Sequence, residues 1–547
     1  MEHQPSIRRI PLRDSWAAVH TLEQALRHFC MAVALLFFAS PATGQVAAPV
    51  PPAAGGAPIQ PPAPARLLRP WHIVPSLSVS ETYSDNVTLA VRGAARSDRV
   101  TNLSPGIRFE GSGPRVRGHF DYGLHRILYA ADPRLNNSQN ALDSLMTVEM
   151  LENQFFIDTR ANISQQSRSA FAAAAPDATS ATGNRVETSV YQLAPYIRGR
   201  ISDVAAYQLR LNATHSSSRG IASSGTSTTE WSGNMHSAAV GARIGWALDG
   251  SARAVHNVAT GDSQFTRARG SLDVMVNPEF HVSAYDGLES TEVAGAAGQT
   301  SRTPGIGVSW SPADRTQLTA LREKRFFGPA NTFKLSHRMA RTALTYSEDK
   351  EVSVVPNLTP AASQALATSG QPGTGTAPGV LQDATAAAGP GIATIGQPVA
   401  AGTAAGFAIG RATVRRNRQG SVTVLGINNT VTLTWSAQDQ QAVGIANGAA
   451  DSFSVSSSIR SQVLGATWMH TVSALTTMTV LGSRTSTKGL TGAAATLTTQ
   501  DNLSATLLRR LSARTSVSVG SRHTRFSSTI AGEQRENAVL ATLSTHF

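Results

Sequence analysis

The residues best suited to acid–base or metal chemistry are His119, Asp121 and His125, which alternate along one short segment. Successive side chains of an extended strand point to opposite faces, so these three share one face, while Val116, Gly118, Phe120, Tyr122, Leu124 and Leu128 share the other. At strand spacing the two imidazoles stand ~20 Å apart, too far to hold one metal ion. No phosphate-binding loop, nucleophile elbow, His-Glu-x-x-His helix or dinucleotide fingerprint occurs. Serine and aspartate are abundant, but their spacing singles out no Ser-His-Asp set. The one cysteine, Cys30, falls in the N-terminal leader described below, so a thiolate nucleophile or thiolate metal site is not expected in the mature chain. The expectation is a protein that is not an enzyme and carries no metal or cofactor.

The charges that share the polar parity say more. Arg117, Arg160, Arg198, Arg210, Arg267, Arg269, Lys334, Arg338 and Arg522 fall on it, together with Asp121, Glu149, Asp158 and Asp273. Opposite charges on neighbouring strands pair, but an excess of arginine on the wall of a water-filled channel raises the local concentration of anions. These residues are the candidate lining of a lumen.

What must position them is a set of strands. The same split recurs at Phe155, Ile157, Ala161 and Ile163 against Asp158, Arg160, Asn162 and Ser164, and at Tyr207, Leu209, Leu211 and Ala213 against Gln208, Arg210, Asn212 and Thr214. Hydrophobic residues make up 41% of the 547 positions and charged ones 15%, yet no apolar run after the leader approaches the ~20 residues of a membrane-spanning helix. Segments of roughly ten alternating residues run from Trp71 to Phe547. Short turns are expected near Gly111–Pro114, Glu152–Gln154, Ser202–Val204, Asp249–Gly250, Asn277–Pro278, Ser311–Asp314, His337–Arg341, Gly426–Asn428, Met469–Val472 and Arg510–Ala513. Longer connections are expected at 85–96, 131–138, 168–186, 216–228, 289–302, 351–411, 439–451, 486–495 and 527–533. Short turns alternating with long connections describe a single transmembrane antiparallel up-and-down β-barrel, with short periplasmic turns and long extracellular loops. The count is about 22 strands, or 18 to 20 if the weakly patterned segments 251–276 and 331–350 are not strands.

The ends fit that architecture. Arg8, Arg9, Arg13 and Arg27 precede an apolar run from Met31 to Ala39, and small residues follow to Gly44, so 1–44 reads as a signal peptide. Residues 45–70 form a Pro/Ala-rich periplasmic linker, and 71–547 the outer-membrane barrel. Segment 351–411, almost without charge, reads as a long disordered extracellular loop. In the last strand Val539, Ala541, Leu543, Thr545 and Phe547 share one face, the expected assembly signal for barrel-assembly machinery, with the C-terminus periplasmic. The formal net charge of +12 is spread along the strands rather than clustered, which argues against a nucleic-acid partner. The expected surroundings are outer-membrane lipid and lipopolysaccharide.

Two stretches carry a family resemblance. Ser80-Glu81-Thr82-Tyr83-Ser84-Asp85-Asn86-Val87 resembles the Tyr-x-Asp-Asn signature of barrel porins encoded near exopolysaccharide genes. Arg315-Thr316, Glu323-Lys324-Arg325-Phe326-Phe327-Gly328, Leu335-Ser336-His337-Arg338 and Arg341-Thr342 together resemble the central block of the outer-membrane proteins associated with the PEP-CTERM/exosortase system. The resemblance implies a porin-like conduit linked to exopolysaccharide export or surface-protein sorting, with anionic exopolysaccharide or solutes as cargo, and it supplies no catalytic residues. The Glu323-Lys324-Arg325 cluster by itself reads as a charged extracellular rim. Two alternatives stand beside the conduit: a non-conducting surface anchor or adhesion barrel, and a barrel hydrolase acting on lipid or polysaccharide.

Overall fold

The computed structural model describes residues 71–219, 225–237, 243–258, 260–293, 298–353, 407, 411–443, 451–491 and 496–547. The leader, the linker and nearly all of segment 351–411 lie outside the described residues. The first strands are β1 (His72–Ser84), β2 (Asp98–Ser112), β3 (Val116–Tyr129), β4 (Asn137–Leu151), β5 (Phe155–Ser167), β6 (Arg185–Ile201), β7 (Ala205–Ser218) and β8 (Thr226–Ser237). Next come β9 (Ile244–Asn257), β10 (Gly261–Asn277), β11 (Phe280–Val293), β12 (Gln299–Arg302), β13 (Gly305–Ala313), β14 (Thr316–Arg325), β15 (Gly328–Arg338) and β16 (Thr342–Ser353). The last are β17 (Thr413–Leu425), β18 (Asn429–Ala442), β19 (Ser458–Ser473), β20 (Thr476–Gly489), β21 (Leu497–Arg510), β22 (Thr515–Ser528) and β23 (Gly532–His546).

Sequential strands pair antiparallel, and β23 returns to pair with β1, so the sheet closes on itself. β12 and β13 both pair with β11 in a single register, Leu288 opposite Arg302 and Tyr285 opposite Gly305. They are two stretches of one wall strand interrupted at Pro304, which has no N–H to give to the ladder, and the wall therefore holds 22 strands. Apart from the connections between Asn257 and Gly261 and between Arg338 and Thr342, the weakly patterned segments 251–276 and 331–350 are paired parts of this wall.

Some expected turns move. Asp249–Gly250 lies inside β9, paired there with β8 on one side and β10 on the other. β19 runs through Met469–Val472 to Ser473 before turning. Connection 289–302 shrinks to 294–298 because β11 extends to Val293, and Asp439 likewise belongs to β18.

Closure gives the wall two faces of different chemistry. On β22 the even-numbered residues from Gly520 to Ser528 are buried and the odd-numbered ones are exposed. The outward parity carries Leu103, Leu272, Leu288, Leu503 and Val539, with Leu272, Leu288 and Val539 all 57–59% exposed. A band of large apolar side chains facing out on every side is unfavourable in water and favourable in a bilayer. Val539, Ala541, Leu543 and Thr545 belong to that outward face, opposite Tyr83, Glu81, Val79 and Leu77 of β1, and the exposed Phe547 donates its N–H to the Pro75 carbonyl at 2.9 Å.

The seam between first and last strands is fastened by the Tyr83-Ser84-Asp85-Asn86 stretch. Asp85 accepts from both the backbone and the side-chain amide of Asn537, each at 2.7 Å. Asn86 is buried, donates to the carbonyls of Arg535 and Ala90 at 2.8 Å, and accepts from the Ala90 N–H at 2.9 Å. Ser84 donates to Glu536 at 2.7 Å. The Tyr-x-Asp-Asn pattern is thus a clamp across the closure. Replacing Asp85 and Asn86 together by Ala strands several of these groups, at about 1–3 kcal/mol for each one left unpaired in the interior. The unboiled, fast-migrating gel form of the double variant is expected to convert to the unfolded form at a lower temperature than wild type. Tyr83→Ala, on the outer face, should leave that temperature nearly unchanged, and equal behaviour of the two variants would remove the clamp.

Candidate functional site

The inward face is built by register. From the β3–β4 ladder through β4–β5 and β5–β6, Arg117, Thr147, Asp158 and Ala194 follow one another around the wall, and on the same face Tyr196 of β6 stands opposite Arg210 of β7. One residue pair along β5 lies Arg160, with Gln192 opposite it on β6. Arg210 of β7 reaches back to Asp158 at 2.8 Å, and Thr147 donates to the same carboxylate at 2.9 Å. Phe156 and Tyr196 stack at 5.1 Å with their planes 12° apart. The Arg198 guanidinium sits 4.4 Å from the Phe156 ring centre and the Arg210 guanidinium 4.2 Å from that of Tyr196. Two arginines are therefore held in place by a pair of aromatic rings. Arg117 also lies within electrostatic reach of Tyr196.

A second group crosses β9, β10, β11 and β14. Arg267 and Arg269 share Glu323 at 2.7 and 3.5 Å, and Arg269 also meets Asp249 at 3.1 Å. Arg325 pairs with Glu289 and with Glu323. Three guanidinium groups and three carboxylates form one continuous network, as buried charge requires. Inward-facing Gly305 makes room for it, since a Cβ there would come within 2.9 Å of the Glu323 Cβ. Glu323 and Arg325 are thus not a solvated rim: they turn inward and are buried or half-buried, and only Arg322 and Lys324 keep the outward parity. Sequence reasoning missed Glu289 as well, because it assigned that residue to a loop. Lys334 and Arg338 share the inward parity on β15 opposite Ser347 and Ala343, and both stay open to solvent. Asp273 accepts from Ser283, and Glu149 caps the turn at Asn153.

The long connection between β5 and β6 does not extend away from the barrel. Residues 168–184 fold into the mouth at the long-loop end and touch inward-facing groups of distant strands. Tyr129 donates to the Thr179 carbonyl at 3.0 Å, and the Ala181 N–H to that of Val87 at 2.8 Å. Gln500 of β21 both donates to and accepts from the Ala174 backbone at 2.9 Å. Three small apolar clusters seat it: Val87, Val100, Ile127 and Tyr129 against Ala178 and Ala181; Phe407, Phe453 and Ile459 against Ala170 and Phe171; Leu89 and Phe526 with Ala173. Its carboxylate, Asp177, meets Arg522, which also donates to Glu536 at 2.9 Å, and Arg185 donates to the Asp177 carbonyl. A visible signal was present in the sequence. From Ser169 to Asn184 only Asp177 is charged, a composition poorly suited to a solvated loop.

His119 and His125 are engaged separately, His119 with Asp143 at 3.4 Å and His125 with Ser104 at 2.9 Å. Among the described residues no group of three or more His, Cys, Asp or Glu is placed to hold a metal ion.

No protein-family profile and no curated protein matches the sequence. Among solved structures, the chain is similar to the siderophore receptor PirA of Pseudomonas aeruginosa, at 10% identity over 87% of this chain and 80% of that one, TM-score 0.43. It is similar to the FrpB iron transporter of Neisseria meningitidis at 8% identity over 87% and 81%, TM-score 0.46. OccK5 of Pseudomonas aeruginosa gives 11% identity over 87% and 98%, TM-score 0.31. At this level the likeness extends no further than barrel shape.

The Asp177 latch has a pH dependence. Burial works to raise the Asp177 pKa, but Arg522, the Thr179 hydrogen bonds and Arg185 outweigh it and hold the carboxyl below its ordinary value of 3.8. A carboxyl whose pKa is depressed in the latched state stabilises that state fully above 3.8, and the contribution is lost as pH falls below it. If the loop narrows the lumen, single-channel conductance in a planar bilayer should be flat from pH 7 to 5 and rise as pH approaches 3. Asp177→Asn should abolish that step. Arg522→Gln, which strands two carboxylates at a cost of about 3–5 kcal/mol, should give the high-conductance state already at pH 7. Identical pH profiles in all three proteins would show that the latch holds nothing that current can sense.

Proposed function

We propose that this chain is a loop-gated conduit of the bacterial outer membrane, with its short turns in the periplasm and its long loops outside. The observation that carries the proposal is a closed 22-strand wall, apolar outside and rich in arginine inside, with the infolded 168–184 loop across one end. A barrel leaves no backbone edge unsatisfied in lipid, and a charged inner face is stable only where water reaches it. No described helix is long and apolar enough to cross a membrane, and the outward band of large apolar side chains lies on the strands. The cargo we assign is anionic exopolysaccharide or a solute derived from it, in a system that sorts surface proteins. The support for this is the resemblance of residues 80–87 and 315–342, joined by the arginine-rich inner face.

A second reading is favoured by the infolded loop itself: a barrel whose mouth is filled by 168–184 could serve as a surface anchor rather than a channel. Conductance separates the two. Purified protein should give discrete current steps, and deleting residues 170–182 should enlarge them several-fold. A silent bilayer with both proteins would leave the anchor.

Selectivity supplies a further test. Replacing Arg160, Arg210 and Arg269 together by Gln should lower the anion-to-cation permeability ratio several-fold at low salt, and the difference should shrink above about 0.5 M as the charges are screened. Unchanged selectivity at low salt would mean that these arginines do not line the permeation path. For the cargo, a deletion strain should retain polymer in the periplasm, and normal extracellular polymer would remove that assignment.

A further inference from the structure

The inner face of β5 carries polar groups that the protein itself does not satisfy. Arg160, Asn162, Ser164 and Gln166 alternate along it, and Arg160, Asn162 and Gln166 are only 8%, 7% and 6% exposed. Arg160 Nε and Nη1, Asn162 Oδ1, Ser164 Oγ and both amide atoms of Gln166 lack a hydrogen-bond partner. Buried polar atoms in native proteins are nearly always paired, and a run of unpaired ones on a single strand is the kind of exception that a ligand explains. Across the wall the Ser216 hydroxyl of β7 and the Thr228 hydroxyl of β8 are also unpaired. Asp143, the carboxylate whose charge acts on Arg160, is engaged by His119 at 3.4 Å, and Asp158, two residues along β5, by Arg210 at 2.8 Å. Among the arginines of this region, Arg160 is the buried one left with no anionic partner at contact distance.

The chemistry of the row specifies its occupant. Arg160 offers donors only, in a planar fork that fits the two oxygens of a carboxylate or phosphate. Asn162 offers an acceptor, Ser164 a hydroxyl and Gln166 one of each, a set matched by groups that both donate and accept, such as sugar hydroxyls. Same-face residues of a strand repeat at ~6.6–7 Å, so the row extends ~20 Å along the wall, enough for several linked units and far more than a single ion needs. The apolar rings of this region, Phe156 and Tyr196, are stacked on each other and covered by arginines, so they present no open face to a lipid tail. At its upper end β5 continues directly into the infolded loop, with the Arg168 N–H donating to the Asn184 carbonyl at 3.1 Å.

We infer that the inner face of β5 is a binding track for an acidic, polyhydroxylated chain, with Arg160 taking the oxyanion and Asn162, Ser164 and Gln166 the hydroxyls. This deepens the conduit reading and rests on it, because the track must lie in a lumen that the chain can enter.

The test titrates the purified full-length barrel in detergent with three probes: trigalacturonate, glucose 6-phosphate and maltotriose. One or both acidic probes should bind at least tenfold more tightly than maltotriose, and which of them binds separates a carboxylate-bearing ligand from a phosphate-bearing one. Arg160→Gln should weaken acidic binding at least tenfold while maltotriose is unaffected, Arg160→Lys should restore part of it, and Gln166→Leu should weaken trigalacturonate. Each variant is checked for the heat-modifiable gel form, so that a misfolded barrel is not read as lost binding. Equal affinity for maltotriose and the acidic probes, no binding of any probe, or acidic binding indifferent to Arg160 would each overturn the track. The conduit is judged separately by conductance. Current steps without binding would remove the track and leave the channel, whereas Arg160-dependent binding with a silent bilayer would keep the track and remove the channel.

Discussion

Everything in this molecule depends on the backbone ladder between β1 and β23. An open sheet of this size would present two edges of unpaired N–H and C=O groups, which neither lipid nor an apolar exterior can satisfy. Once the ladder closes, alternation along every strand becomes a division between outside and inside, and the side chains need only follow it. The clamp formed by Ser84, Asp85 and Asn86 on residues 535–537 stands at the point where strands far apart in sequence must find one another. That gives a run of turn-type residues a structural role, with no chemistry required of it.

Closure also decides how the charges behave. A soluble protein of this length would spread its ionic groups over the outer surface; here the outer band is apolar and many of them share a confined interior. Within it the acids are largely neutralised by direct pairing, as in the Arg267, Arg269, Arg325, Glu289, Glu323 and Asp249 network. Arg198 is held by an aromatic ring, and Arg117, Lys334 and Arg338 remain exposed. The inside is therefore uneven: tied into one network across β9–β14, and along β3–β7 a mixture of arginines and acids, two of the arginines held against aromatic rings.

The strands and their facing were legible because alternation is local. Phe155 to Ser164 shows both faces of β5 with no knowledge of its neighbours. Where a dipeptide suggested a turn, as at Asp249–Gly250, local chemistry misled, since strand pairing on both sides of β9 overrides it. Glu289, Glu323 and Arg325 could not be placed by parity alone, because a charged stretch near a strand end reads the same whether it meets water outside or three arginines inside. The infolded loop was the largest omission. Its partners, Gln500, Arg522 and Phe526, come more than three hundred residues later, and no pattern within 168–184 names them.

That separation has a consequence for the order in which the molecule is made. The seat of the 168–184 loop is built partly from β2 and β3 and partly from β19, β21 and β22, so the loop cannot settle fully until the C-terminal third of the wall is in place. The native mouth therefore joins residues from both ends of the chain, and its final form requires strands made more than three hundred residues after the loop itself.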